Sequence, residues 1–226
     1  MSRRLSKRLQ AIYSMVDDGV FVADVGSDHA HLVLELVEKG KIPYAQAIEN
    51  KGGPFINMKS NVAASPEGYR IACSLSDGLS ALSPDAECVV IAGMGGRLAY
   101  SILEKGKGKL ERVSSIIIDA HRDLPFLRQK VALLGYFIED ERLVYEDKVH
   151  YTIVKFRRGQ APQYGQADLL FGPVLRKSRP EGYLEWLQGQ KKKVGELLDK
   201  GLSEQKRQAC LSLYRLIKEE IQSESR

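Results

Sequence analysis

Short apolar runs alternate with segments of helical period through most of this chain, and that alternation restricts the possible fold more than any other feature. Runs at 20–25, 44–49, 70–75, 87–92 and 114–119 have strand composition. Helical patterns follow the first, second, fourth and fifth of them, and in the first of these Leu32, Leu36 and Val37 mark a buried face that stops at Gly40. Strands that alternate with helices pair in parallel through right-handed crossovers. The prediction is an α/β fold, a doubly wound sheet with helices on both faces.

The rhythm breaks after a helix at 124–134. Runs at 136–141 and 149–156 are β-rich, and the segment between them carries Glu146, Asp147 and Lys148 with no helical period. A strand joined to its neighbour by a hairpin runs antiparallel to it. Seven strands with the seventh reversed resemble the Rossmann-like sheet of class I methyltransferases, whereas a plain nicotinamide-binding domain has six parallel strands.

Two helical regions flank this core. Leu5, Leu9, Ile12 and Val16 recur at helical spacing, so the chain opens on an amphipathic helix. The run 157–166, with two glycines and one proline, reads as a boundary between a sheet domain at 1–159 and a helical domain at 160–226. In the tail, Leu184, Leu187, Val194 and Leu198 keep a mixed three-and-four spacing that Leu213, Ile217 and Ile221 continue. Gly201 is placed to stop the first long helix, and Ser203 to cap the second with Glu204 in its first turn. The tail is predicted as a coiled-coil-like helical pair that packs or binds and carries no chemistry.

Composition excludes several classes. A hydrophobic fraction of 43% with 28% charged residues is that of a packed globular chain. No stretch approaches the roughly 18 to 20 apolar residues of a membrane span, and the first twenty residues do not read as a secretion signal. The expectation is a soluble cytoplasmic protein with no membrane partner, a monomer or weak homodimer. Cys73, Cys88 and Cys210 are odd in number and form no CxxC pair, which argues against disulfides and against a metal site. Lys and Arg outnumber Asp and Glu by 34 to 29. The excess is clustered at Arg3, Arg4, Lys7 and Arg8, at Arg176, Lys177 and Arg179, and at Lys191, Lys192 and Lys193, as for a polyanionic partner.

In an open parallel sheet, ligands bind beyond the carboxyl ends of the strands. The first such loop is Asp24-Val25-Gly26-Ser27-Asp28-His29. It lacks the second and third glycines of GxGxxG, and Asp28 falls where a dinucleotide would lay its pyrophosphate. A carboxylate there repels an anion and attracts a cation, which favours S-adenosylmethionine, a sulfonium with no phosphate. Glu49 follows Asp24 by 25 residues, close to the spacing of an acid that binds ribose hydroxyls, and Asn50 lies beside it. Asp77 and Gly78 end the third strand, where a carboxylate can accept from an adenine amino group. The fourth loop, Ala92-Gly93-Met94-Gly95-Gly96, has three glycines in four residues and permits close backbone approach to a flat ligand.

These residues carry a resemblance. The stretch from Val22 to Leu32, Gly53-Pro54, Ser76-Asp77-Gly78-Leu79 and Ile91-Ala92-Gly93-Met94-Gly95-Gly96 resemble the bacterial tRNA (adenine-22 N1) methyltransferases. The likeness runs from Arg8-Leu9 to Phe171-Gly172-Pro173 and the helical tail. Two positions depart from the pattern: Asp119-Ala120-His121 stands where an uncharged Gln-Pro pair is expected, and Glu49-Asn50 where an Asp-Val pair is common.

The resemblance implies methyl transfer from S-adenosylmethionine to N1 of an adenine in the D-arm of tRNA. With the loop reading, it puts cofactor contacts at Asp24, Gly26, Ser27, Asp28, His29, Glu49, Asn50, Asp77, Gly78 and Gly93. Asp28, His29, Gly93 and Met94 are expected nearest the transferred methyl. Contacts to tRNA are expected from Arg3, Arg4, Lys7 and Arg8, from Gly95 and Gly96 at the adenine edge, and from Lys191, Lys192 and Lys193. Tyr164, Tyr183 and Trp186 are expected to pack the tail against the body, and His31, Cys88 and His121 are given no role. Two other readings stay open at this point: a methyltransferase with another substrate, and a silent RNA-binding scaffold of the same fold.

Overall fold

Strands β1 (Val22–Val25), β2 (Ala45–Glu49), β4 (Cys88–Met94) and β5 (Ser115–Ala120) are mostly apolar and buried at nearly every position because helices cover both faces of the sheet. With β3 (Ile71–Leu75), β6 (Tyr136–Glu146) and β7 (Val149–Arg158) they form one seven-stranded sheet in the order β3-β2-β1-β4-β5-β7-β6. The computed structural model describes residues 5–223. Strands β1 to β5 pair in parallel, and β7 lies antiparallel to both β5 and β6. The strand order reverses between β1 and β4, so the loops after these two strands diverge and leave a crevice at their carboxyl ends.

The crossovers are α2 (His31–Glu38), α3 (Gly52–Ala63), α4 (Gly96–Lys105) and α5 (Leu124–Ala132). Ahead of them α1 (Lys7–Met15) starts at Ser6, whose hydroxyl accepts from the Leu9 N–H, and buries Ile12 and Met15 in the core. The expected basic residues Arg3 and Arg4 lie outside the described residues.

The hairpin is longer than its composition predicts. β6 continues through Arg142–Glu146 because each residue there pairs with β7, from Arg142 with Ile153 to Glu146 with Val149. Asp147 and Lys148 both take positive φ, 50° and 63°, which turns the chain in a two-residue loop matching the strand twist. Cross-strand pairing thus overrides a charge-rich sequence.

The chain divides into two compact units, Met1–Gln163 and Tyr164–Arg226. The second opens with two short helices absent from the sequence reading, α6 (Gln166–Phe171) and α7 (Pro173–Ser178), followed by α8 (Tyr183–Leu198) and α9 (Glu204–Gln222). α8 stops at Leu198, before Gly201, and the Ser203 side chain makes no capping bond. Lys191 lies over the Tyr214 ring while Tyr183 donates to Glu220, so α8 and α9 run antiparallel. Glu220 is buried and also accepts from Arg176, which gives this unit a charged as well as an apolar core. Trp186 packs on Phe171 and Tyr183, so the expected aromatic packing falls inside the tail itself.

Candidate active site

The loop after β1 is folded across the end of β2. Gly26 takes φ +77°, and the N–H groups of Gly26 and Ser27 both donate to the Ile48 carbonyl, at 2.8 and 3.1 Å. Asp28 and Ala30 also have positive φ, 43° and 58°, so α2 begins only at His31 and Asp28 does not cap it. Left-handed backbone at non-glycine residues costs of order 1 kcal/mol or more and persists where the surroundings enforce it. Asp28 is exposed instead, with its carboxylate 3.5 Å from Nε2 of His29.

Beneath this loop Asp24 is buried and accepts from the Ser27 hydroxyl at 2.6 Å. Burial pushes the Asp24 carboxyl up to about 6, against the pull of Ser27 and with a further push from Glu49. Glu49 is buried too, and its Oε1 accepts from the N–H groups of Asn50 and Lys51, each at 2.9 Å.

A cavity of about 390 Å³ opens at the carboxyl ends of β1 to β4. Of the predicted cofactor residues it gathers Gly26, Asn50, Asp77 and Gly78, with Met94 opposite and an apolar wall from Ile48, Leu79 and Ile102. The size and the apolar lining with few polar groups suit a small-molecule site. Two glycines are needed there: a Cβ on Gly26 would stand 2.4 Å from the Met94 methyl, and one on Gly78 3.2 Å from Ile102, both at positive φ. Asp24, Ser27 and Glu49 are buried next to the lining residues Val25, Gly26 and Asn50, and Asp28 and His29 lie outside the lining. The residues present fit a nucleoside cation: an exposed carboxylate at Asp77, a carboxamide at Asn50 and acids below. Among the described residues no three or more His, Cys, Asp or Glu side chains cluster as for a metal ion.

The glycine-rich loop after β4 departs from a plain turn. The register with β5 shifts between Ala92 and Met94, and Gly93 bulges out with φ +75°. Such a bulge at the end of a buried strand re-aims the following residues. Met94 then accepts from the His121 N–H through its carbonyl, and the Gly96 N–H donates to the Arg122 carbonyl. Gly96 is buried, and a Cβ there would stand 2.9 Å from two carbonyl oxygens, of Arg122 and Asp123. The expectation of an adenine contact at Gly96 is therefore corrected: its N–H is spent on holding the loop. Gly95 lies beside the Arg122 side chain, and Gly93 is left exposed.

The expectation of a phosphate contact at Arg8 is also corrected. Arg8 pairs with Asp119 at 2.9 Å and Glu146 at 3.0 Å, and its guanidinium covers the Tyr151 ring at 4.3 Å. It fastens α1 to the sheet and is not free for phosphate. Lys7 stays exposed, its ammonium near the Tyr145 carbonyl. Sequence reasoning missed Arg97 and Arg122, 68% and 82% exposed, which flank the glycine loop around Asp123. It also missed Lys105 and Lys109 at the cavity wall. Their signal was available: Arg97 follows the glycine pair directly, and lysine alternates with glycine at 105–109. In the second unit Lys192 and Lys193 are exposed, and Lys191 is half-buried over Tyr214.

Comparison with known proteins places this geometry. A family model described as a methyltransferase domain matches residues 5–154. The tRNA (adenine(22)-N(1))-methyltransferase of Bacillus subtilis is 34% identical over 192 residues, 82% of this chain and 81% of that protein. Among solved structures, Streptococcus pneumoniae Sp1610 in complex with S-adenosyl-L-methionine superposes with a TM-score of 0.90 at 34% identity, over 96% of this chain and 100% of that one. The B. subtilis m1A22 tRNA methyltransferase TrmK superposes with a TM-score of 0.87 at 29% identity, over 96% and 99%.

Proposed function

The chain belongs to the tRNA (adenine(22)-N1)-methyltransferase family, and from that premise we propose how its own residues hold the two reactants. The enzyme transfers a methyl group from S-adenosylmethionine to N1 of adenine 22 in tRNA. The observation that carries the site assignment is the cavity that joins Gly26, Asn50, Asp77, Gly78 and Met94 at the switch point of the sheet.

Bound S-adenosylmethionine supplies an electrophilic methyl on a sulfonium. N1 of adenine already holds a lone pair, so the chain need not provide a strong base, and alignment of the two reactants is its main contribution. In our reading Asp77 accepts from the cofactor's adenine amino group. Asn50 and the second carboxylate oxygen of Glu49 serve the ribose, since Oε1 is committed to the loop. Asp24, desolvated under the Gly26 turn, places negative charge beneath the cofactor's cationic end. The exposed pair Asp28 and His29 and the bulge at Gly93 border the side from which the target base arrives.

Adenine 22 must leave its stacked position to reach this crevice. Phosphate contacts supply the grip for that displacement. Lys7, Arg97, Arg122 and Lys105 provide it in the sheet unit, and Lys192 and Lys193 in the helical unit. No helix among the described residues is long and apolar enough to cross a membrane. A tRNA substrate is in keeping with a cytoplasmic location.

The test is nucleoside mass spectrometry on unmodified tRNA incubated with enzyme and S-adenosylmethionine. One N1-methyladenosine per tRNA is expected, and none on a transcript carrying guanine at position 22. Equal methylation of both transcripts would overturn the assignment.

A further inference from the structure

The geometry points to His121 as the ring against which the target adenine is positioned for methyl transfer. The inference rests on the reading that transfer takes place at the carboxyl ends of β1 and β4, and it adds a substrate contact that the loop motifs do not contain.

His121 follows β5 directly, at the edge of the crevice, and its ring is exposed. Its backbone N–H donates to the Met94 carbonyl, so the residue is tied to the glycine loop that borders the site. Nε2 lies 3.8 Å from the point a Cβ on Gly93 would occupy, and no side chain intervenes because Gly93 has none. The ring is held from behind as well: it meets Tyr151 edge-on, with centroids 5.2 Å apart and planes at 80°. Tyr151 in turn lies under the Arg8 guanidinium, which is locked by Asp119 and Glu146. Four elements, α1, β5, β6 and β7, thus converge to fix one exposed imidazole.

An ion pair to a buried carboxyl anchors this corner. Asp119 is 1% exposed, and burial raises its pKa against the pull of Arg8, His121 and the Gly93 N–H. Its Oδ2 accepts from Arg8. An exposed planar ring on so rigid a support is suited to stacking a displaced base, which contributes about ten- to a hundredfold per base in systems of this kind.

Phosphates dominate tRNA affinity, so loss of the ring should appear in turnover more than in binding. His121→Ala in the full-length enzyme is expected to lower kcat about ten- to a hundredfold, with tRNA Kd and calorimetric S-adenosylmethionine Kd within twofold of wild type. His121→Phe keeps a stacking face and is expected to restore most of kcat, which a purely structural role would not require. Tyr151→Leu, which removes the backing ring, should give a smaller loss of the same kind. Wild-type kcat in His121→Ala, or equal losses in the Ala and Phe variants, would overturn the inference. A wild-type enzyme that forms no N1-methyladenosine would instead overturn the functional reading on which it rests.

Discussion

Asp24→Asn should act in opposite directions on the free enzyme and on its cofactor complex. The carboxyl is buried at the end of β1 and pushed up to about 6, whereas an unfolded Asp titrates near 3.9. Between those two values the native state holds a proton that the unfolded state has lost, so stability falls as pH rises from about 4 to about 6 and then stays level. Two pKa units at 1.36 kcal/mol each place the full penalty close to 3 kcal/mol above pH 7. Asn removes the penalty and still accepts the Ser27 hydroxyl now bonded at 2.6 Å. The variant is therefore expected to match wild type at pH 4 and to exceed it by about 3 kcal/mol at pH 8. Hydrogen exchange of the β1 amides is the suitable assay, because Trp186, the chain's single tryptophan, sits in the other unit and would report on the wrong one. With S-adenosylmethionine the order reverses: a cation near Asp24 gains from the ionised form, so Asn should cost about tenfold or more in affinity at pH 8. Equal protection of β1 in both proteins at pH 8 would refute the electrostatic account, and unchanged cofactor affinity would remove Asp24 from the site.

Asp77→Ala should weaken S-adenosylmethionine binding by about ten- to a hundredfold in calorimetry, and Glu49→Gln by less, since the amide oxygen can still serve the Asn50 and Lys51 N–H groups. Gly96→Ala drives a methyl to within 2.9 Å of two backbone carbonyls and should cost about 1–3 kcal/mol in denaturation, with lower turnover as the glycine loop shifts. Glu141→Leu strips the fully buried Arg128 guanidinium of a carboxylate 2.8 Å away and is expected to cost about 3–5 kcal/mol in the same assay. Replacing Lys191, Lys192 and Lys193 together by Gln should flatten the dependence of tRNA affinity on salt by no more than one or two charges, because three successive helical residues span about 200° and Lys191 is turned toward Tyr214; a change of three would contradict that geometry.

The sheet and the loops that line the crevice are legible in the sequence because their signals are local. A buried parallel strand is an apolar run, and the residues after it are crevice residues by topology alone, so the sequence itself assigns Gly26, Asn50, Asp77 and Met94 to one crevice. What local signals cannot carry is pairing across the chain. Arg8 reads as one of four basic residues at the start, yet its partners stand 111 and 138 positions away, and that distance converts an apparent phosphate contact into a clamp. Arg128 and Glu141 look like surface charges on a helix and a strand until both prove fully buried. His121 shows the same effect on the functional side. Alone it is a histidine after a strand, at a position that departs from the expected Gln-Pro pair, and no motif lends it weight. Its significance depends on Tyr151, Arg8 and Gly93, three residues from three other elements that only the folded sheet places around one ring. Glycine loops mark where a cofactor sits because backbone must approach it closely. A substrate base can instead be held by side chains gathered from anywhere along the sheet's carboxyl edge, so the half of the site that selects the substrate is the half that sequence spacing leaves unmarked.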